Sequence, residues 1–244
     1  MNFLLPTWTL WRRDLIRFWR EKARVAAFAG SPILFWFVIG SGFGNMATFF
    51  AGALTMTVMF AAIFSTMSLI EDRNEGFLLG MLVSPAPRLA LVTGKLLGGA
   101  TMAWLQSLLL LSMTSIAGYP LDNLAAASAL LWLIAFSYTA LGFLIAWQMN
   151  SSAGYHAMMN LVLFPMWMLS GAIFPPSKAV PWMRAVMAAN PMTYAYSALW
   201  QLLDPKADQY ATVQLGVTVT AGFGIVLVIL SAWIASRPST RNAG

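Results

Sequence analysis

The chain has 244 residues, of which 59% are hydrophobic and only 9% are Asp, Glu, Lys or Arg, whereas a soluble domain is typically ~45–50% apolar and ~25% charged. With a mean hydropathy of +0.72, little of the chain is left for a separate soluble catalytic domain. Zero cysteines and one histidine exclude a disulfide framework, a thiolate or multi-histidine metal site and a cysteine nucleophile.

The first segment, 1–24, contains PTWTLWRRDLIRFWREKAR. Trp8, Trp11, Leu15, Phe18 and Trp19 recur at three- and four-residue spacing, while Arg12, Arg13, Arg17, Arg20 and Arg24 fall mostly elsewhere. That pattern predicts an amphipathic helix lying in the membrane interface, as an anchor, a topology signal or a partner-docking element. It is not the short basic region and cleavable apolar stretch of a signal peptide.

Apolar runs follow at about 25–44, 47–70, 91–118, 124–148, 155–174 and 213–235, each near the ~20 residues that cross a bilayer as a helix. The expected fold is therefore an all-α membrane protein with six transmembrane helices, forming one domain over 1–244. Arg12, Arg13, Arg17, Arg20, Lys22, Arg24, Arg73, Arg88, Lys95, Arg237 and Arg241 all fall on one side of such a scheme. Only Lys178, Arg184 and Lys206 fall on the other, so the positive-inside rule puts both termini in the cytoplasm. This division also explains the net charge of +6 without nucleic acid.

Between the second and third runs, 71–90 concentrates Glu71, Asp72, Arg73, Glu75 and Arg88 around the apolar patch GFLLGMLV. The following SPAPR breaks the helix, because each proline biases its predecessor out of the helical region. A short two-faced helix at the membrane surface is expected, suited to a groove in a soluble partner. RLALVTGKLL lacks the first glycine and the hydroxyl residue of a phosphate-binding loop. Inside the runs the sole ionisable residue is Lys95, near an end, which argues against proton-driven transport. Gly40/Gly44, Gly76/Gly80 and Gly94/Gly98 have the spacing that permits close helix approach.

Beyond the fifth run, 175–210 is too polar and proline-rich to span. Pro181 and Pro191 stand where two short helices would begin, so re-entrant helices at the outer interface are expected. A serine hydrolase built from Ser170 and His156 is disfavoured, since Met168 stands where intramembrane serine proteases have Gly and the Ser170-Gly171 pair is too short a motif.

Two segments together carry a family resemblance. DRNEGFLLGMLVSPAPRLALVTGK resembles the cytoplasmic loop of type-2 ATP-binding-cassette (ABC) exporter permeases through Arg73, Gly76, Phe77, Leu78, Leu82, Val83, Pro85, Arg88, Gly94 and Lys95. Asn74 stands where that family has Glu, and Gly80 where an acid is frequent. FPPSKAVPWMRAVMAANPMTYAYSALW resembles its second signature through Phe174, Pro175, Pro181, Trp182, Asn190, Pro191 and Tyr194. The resemblance implies an export permease in the bacterial cytoplasmic membrane, paired with a second, identical permease and served by two copies of a cytoplasmic ATPase. ATP and Mg would bind on that ATPase, with no cofactor on this chain. Glu71, Asp72, Arg73, Glu75, Gly76, Phe77, Leu78, Pro85 and Arg88 would couple to the ATPase. Trp8, Trp11, Arg12, Arg13, Arg17 and Trp19 would form the interfacial helix, and the second signature an outer gate. A membrane-embedded hydrolase or transferase, and a non-transporting assembly factor, are the competing readings.

Overall fold

Helix limits fall where the sequence supplies prolines, glycines or hydroxyl caps. Ser151 accepts a hydrogen bond from Gly154 N at 3.3 Å and Thr212 from Leu215 N at 3.3 Å, each satisfying a donor that a helix start leaves free. The computed structural model describes residues 3–20, 22–42, 46–207 and 210–237, and the chain is 84% helix with no strand among those residues. Gly44, Asp208, Arg241 and the side chain of Arg24 lie outside the described residues.

In chain order the helices are α1 (Leu4–Arg20), α2 (Lys22–Gly42), α3 (Met46–Ser65), α4 (Met67–Asn74), α5 (Phe77–Val83), α6 (Arg88–Leu111), α7 (Leu124–Gln148), α8 (Ser152–Trp167), α9 (Pro181–Ala189), α10 (Pro191–Leu203) and α11 (Val213–Ser236). Helices α3, α6 and α7 pack on one another as the centre of the bundle. Around them α2 lies on α3, α1 crosses α6, and α11 covers α7.

Among the described residues, four stretches are long and apolar enough to cross a membrane: Val25–Gly42, Phe49–Asn74, Leu124–Gln148 and Val213–Ser236. The fourth and sixth expected runs coincide with α7 and α11. The third ends early, because α6 stops at Leu111 and the chain passes through turns to Gly118, which adopts φ +85°. The fifth is interrupted: α8 gives way at Met168 to a π-helical turn, Met168–Ala172, in which Gly171 has φ +101°. The second continues past its expected end, since α4 carries the helix through Glu71 and Asp72 to Asn74.

Of the glycine pairs whose members are both described, Gly94/Gly98 makes the close approach, while Gly40 lies close to Met46 Cα at the start of α3. A Cβ on Gly94 would stand 2.9 Å from Leu10 Cβ and 3.0 Å from Thr7 O, and one on Gly98 would stand 3.4 Å from Asp14. This is where α1 seats on α6. Gly76 and Gly80 face open space, so the 76/80 spacing serves no helix contact within the chain.

Candidate functional site

Three helices, α1, α4 and α6, meet at the end of the bundle where α1 crosses α6. Positions 10, 14 and 17–18 of α1 face the bundle, so Asp14, Arg13 and Arg17 turn inward beside the buried Leu10 and Phe18. Arg12, Trp8 and Trp19 remain exposed. Trp11 lies between, its indole Nε1 donating to Thr101 Oγ1 at 3.0 Å. The expected aromatic face is thus divided: Phe18 packs inward and Trp8 and Trp19 face out.

The centre of the junction is Asp72, whose side chain is fully buried. Arg13 grips it with both guanidinium nitrogens, Nη2 at 2.6 Å from Oδ1 and Nη1 at 3.1 Å from Oδ2. Lys95 Nζ, from α6, lies 2.5 Å from Asp72 Oδ2 and donates to both oxygens of Asp14, at 3.1 and 2.9 Å. Arg17 reaches Asp72 at 3.3 Å, Glu75 at 2.9 Å and Glu71 at 3.4 Å. Burial by itself would lower the pKa of Arg13, but the hydrogen bond and charge of Asp72 outweigh it and hold it above the ordinary arginine value.

Such a cluster is costly to desolvate and tolerable only when every charge is matched. Its geometry makes α1, α4 and α6 one unit. The absence of a buried ionisable pair that the runs implied does not hold, because the helix of the second run extends past residue 70 to Asn74. Asp72 lies within a membrane-length helix, and Lys95, 5% exposed, is its partner.

Two further arginines fasten the same region to distant helix ends. Arg73 donates to Trp147 O at 2.7 Å and to Asn150 Oδ1 at 3.3 Å, closing the C-terminus of α7. Arg88 donates to Ala235 O at 3.0 Å and Arg237 O at 2.9 Å, closing that of α11. Cations suit helix C-termini, where carbonyls lack partners and the dipole is negative. The break between α3 and α4 also braces the bundle at Thr66, whose Oγ1 is 2.6 Å from Tyr155 OH of α8.

Against this fixed frame α5 turns outward. Gly76 adopts φ +76°, a left-handed conformation that lets α5 change direction after α4. Leu78 is buried and holds α5 down, while Phe77, Leu79 and Val83 are exposed and Pro85 ends the turn that follows. The guanidinium of Arg13 stands 3.6 Å over the Phe77 ring, which fixes that ring to the ionic junction.

At the opposite end, Asn190 is the organising residue. Its Nδ2 donates to Met166 O at 2.7 Å and Leu169 O at 3.1 Å, carbonyls freed by the kink after α8. Its Oδ1 accepts from Met192 N at 3.0 Å, capping α10. Pro181 and Pro191 open α9 and α10, and Tyr194 donates to Ala188 O at 2.9 Å. Phe174, Pro175 and Trp182 are exposed. Helix α10 is largely buried against α3, α7 and α11, so this part of the polar segment belongs to the core.

His156 lies in the second turn of α8, its ring tilted against Phe64 at 5.2 Å between centroids. Ser170 lies in the π turn, donating to Trp167 O at 2.6 Å. Fourteen residues of helix separate them by roughly 20 Å, so they form no nucleophile–base pair. Asp14 was not singled out by sequence. Its signal is weak: one acid in a basic helix, spaced to face the same side as Leu10 and Phe18.

Curated proteins show no match to the chain. The family model described as "ABC-2 type transporter" matches residues 6–203, a span that contains the ionic junction, α5 and the Asn190 end alike. The chain is a membrane-embedded permease subunit and belongs to the ABC-2 type transporter family.

Proposed function

We propose that this permease is half of an ATP-driven exporter, in which two identical chains enclose the path and two copies of a separate cytoplasmic ATPase supply ATP and Mg. The observation that carries this reading is the contrast within 67–85. Helix α4 is immobilised by Asp72 against α1 and α6, whereas α5 presents Phe77, Leu79 and Val83 outward. A partner seated on α5 would push a rigid body, and α1 and α6 would move with it. This is how a small displacement becomes a two-state transition. In that scheme α6 and the kinked α8 join the four long apolar helices to give six crossings, with both termini in the cytoplasm of a bacterial cell. Phe174, Pro175, Pro181, Trp182, Asn190, Pro191 and Tyr194 would narrow the outer exit. Leu-, Met- and Phe-rich helices suit a lipid-like or drug-like cargo, with a glycan as the other candidate.

Reconstitution tests this. Liposomes holding the chain with its co-expressed ABC ATPase should transport only with ATP and Mg, and the chain alone should respond to neither ATP nor a pH gradient. Uptake driven by pH in the absence of the ATPase would overturn the reading. Topology has its own check, because the chain has no cysteine background. A Ser177→Cys variant should react with an impermeant reagent from outside the cell, and reaction solely from the cytoplasmic side would invert the scheme.

A further inference from the structure

A cavity of about 540 Å³ lies between α1, α2, α3, α4 and α6, within the ~300–1,000 Å³ of small-molecule sites. Its wall follows α3 and α4 from Met56 to Ser68, a length of roughly 18 Å at 1.5 Å per residue. One end is apolar, with Phe35 and Met56; the middle is flanked by Phe28, Phe60 and Phe64. The other end reaches the ionic junction at Asp14 and Arg17.

Three features of the wall define the occupant. First, its charges are already matched: both Asp14 oxygens are held by Lys95, and Arg17 by Glu71, Asp72 and Glu75. A charged ligand would have to break an internal ion pair. Second, neutral hydrogen-bonding capacity is open. Thr57 is 8% exposed and Ser68 half-buried, and neither hydroxyl has a hydrogen-bond partner among the described residues. Two residues earlier, by contrast, Thr55 donates to Ala51 O and Gly52 O, both at 3.0 Å. Third, the amide of Gln106 is oriented by the wall. Pro32 supplies no N–H to Phe28 O, and Gln106 Nε2 donates to that carbonyl at 2.8 Å instead. We propose that this cavity binds one uncharged lipid from the bilayer. Its acyl chain would lie along α3, and its hydroxyl or carbonyl groups would meet Thr57, Ser68 and Gln106. The site lies within one subunit and does not depend on the transport reading.

The purified full chain in nanodiscs would be photolabelled with three diazirine probes of equal chain length: a monoacylglycerol, a fatty acid and an alkylamine. The monoacylglycerol should label peptides containing Met56, Phe60 or Met102 saturably, and more strongly than either charged probe. Filling the cavity from opposite walls, with Ala61→Trp and separately with Ala27→Trp, should remove that labelling. Thr57→Val should erase the preference for the neutral probe while leaving the protein folded, as judged by its unfolding temperature. Non-saturable labelling equal to that at the exposed Ile225 and Ile229 of α11 would overturn the proposal. So would labelling that survives in folded forms of both tryptophan variants, or a preference for a charged probe.

Discussion

The two ends of this bundle solve the same problem with opposite chemistry. At one end, Asp72 and Asp14 are fastened by Arg13, Arg17 and Lys95, and three helices are joined by charge. At the other, Asn190 joins α8, the π turn and α10 through neutral hydrogen bonds to backbone groups. The charged end holds its members through side chains that can be released or re-paired, and it lies beside α5, the segment with an exposed apolar face. The neutral end uses one amide side chain to hold backbone groups around a kink. The difference separates a junction suited to transmitting displacement from one suited to keeping a fixed bend.

The largest perturbation should come from Asp72→Ala, which leaves Lys95 buried without its nearest anion. A cost of about 3–5 kcal/mol is expected, read as a lowered unfolding temperature in detergent or nanodiscs. Replacing the pair together, Asp72→Leu with Lys95→Met, should recover part of that loss; no recovery would show that the charges do not act as a unit. Asn190→Ala removes the α10 cap and its hydrogen bonds to Met166 O and Leu169 O, the second of which keeps Thr193 Oγ1 as a donor, for about 1–3 kcal/mol. That loss should not change between low and high salt.

Two glycines sharpen the contrast further. Gly76→Ala places an L-residue at φ +76° and should cost ~1–2 kcal/mol. Gly80→Ala, inside α5 with open space around it, should stabilise the helix by about 0.5–1 kcal/mol. The same sign for both would remove the conformational reason for Gly76. The smallest effect is expected for Glu75→Gln. Glu75 is 55% exposed beside Arg17, so its pair is worth roughly 0.2–1 kcal/mol. That contribution should fade as salt shortens the screening length below ~8 Å.

Much of this was legible in the sequence, and the exceptions have physical causes. The bounds of α7 follow from an uninterrupted apolar run, and α5 from seven helix-compatible residues between Gly76 and the SPAP break. Residues 71–74 read as part of a separate short helix at the membrane surface, beyond the end of the second apolar run. In the structure they continue the long helix with Asp72 buried, because α1, nearly sixty residues away in sequence, brings the counter-charges. Lys95 looked like a residue near a span end. Its acceptors Asp14 and Asp72 lie on two other helices, and no local pattern reports such a meeting. The kink after α8 likewise depends on Asn190, which sits beyond the run it terminates.

The central claim is that α5 is the surface on which an ATPase seats, on a frame fixed by Asp72. The most direct test is Val83→Glu, because Val83 is 84% exposed and its replacement touches neither the ionic junction nor the core. Co-purification of the permease with its co-expressed ABC ATPase is the measurement, with the unfolding temperature of the permease alone as control. ATPase association should be lost while that temperature stays unchanged. An intact complex with full ATP-driven transport would contradict the assignment of α5 as the docking surface.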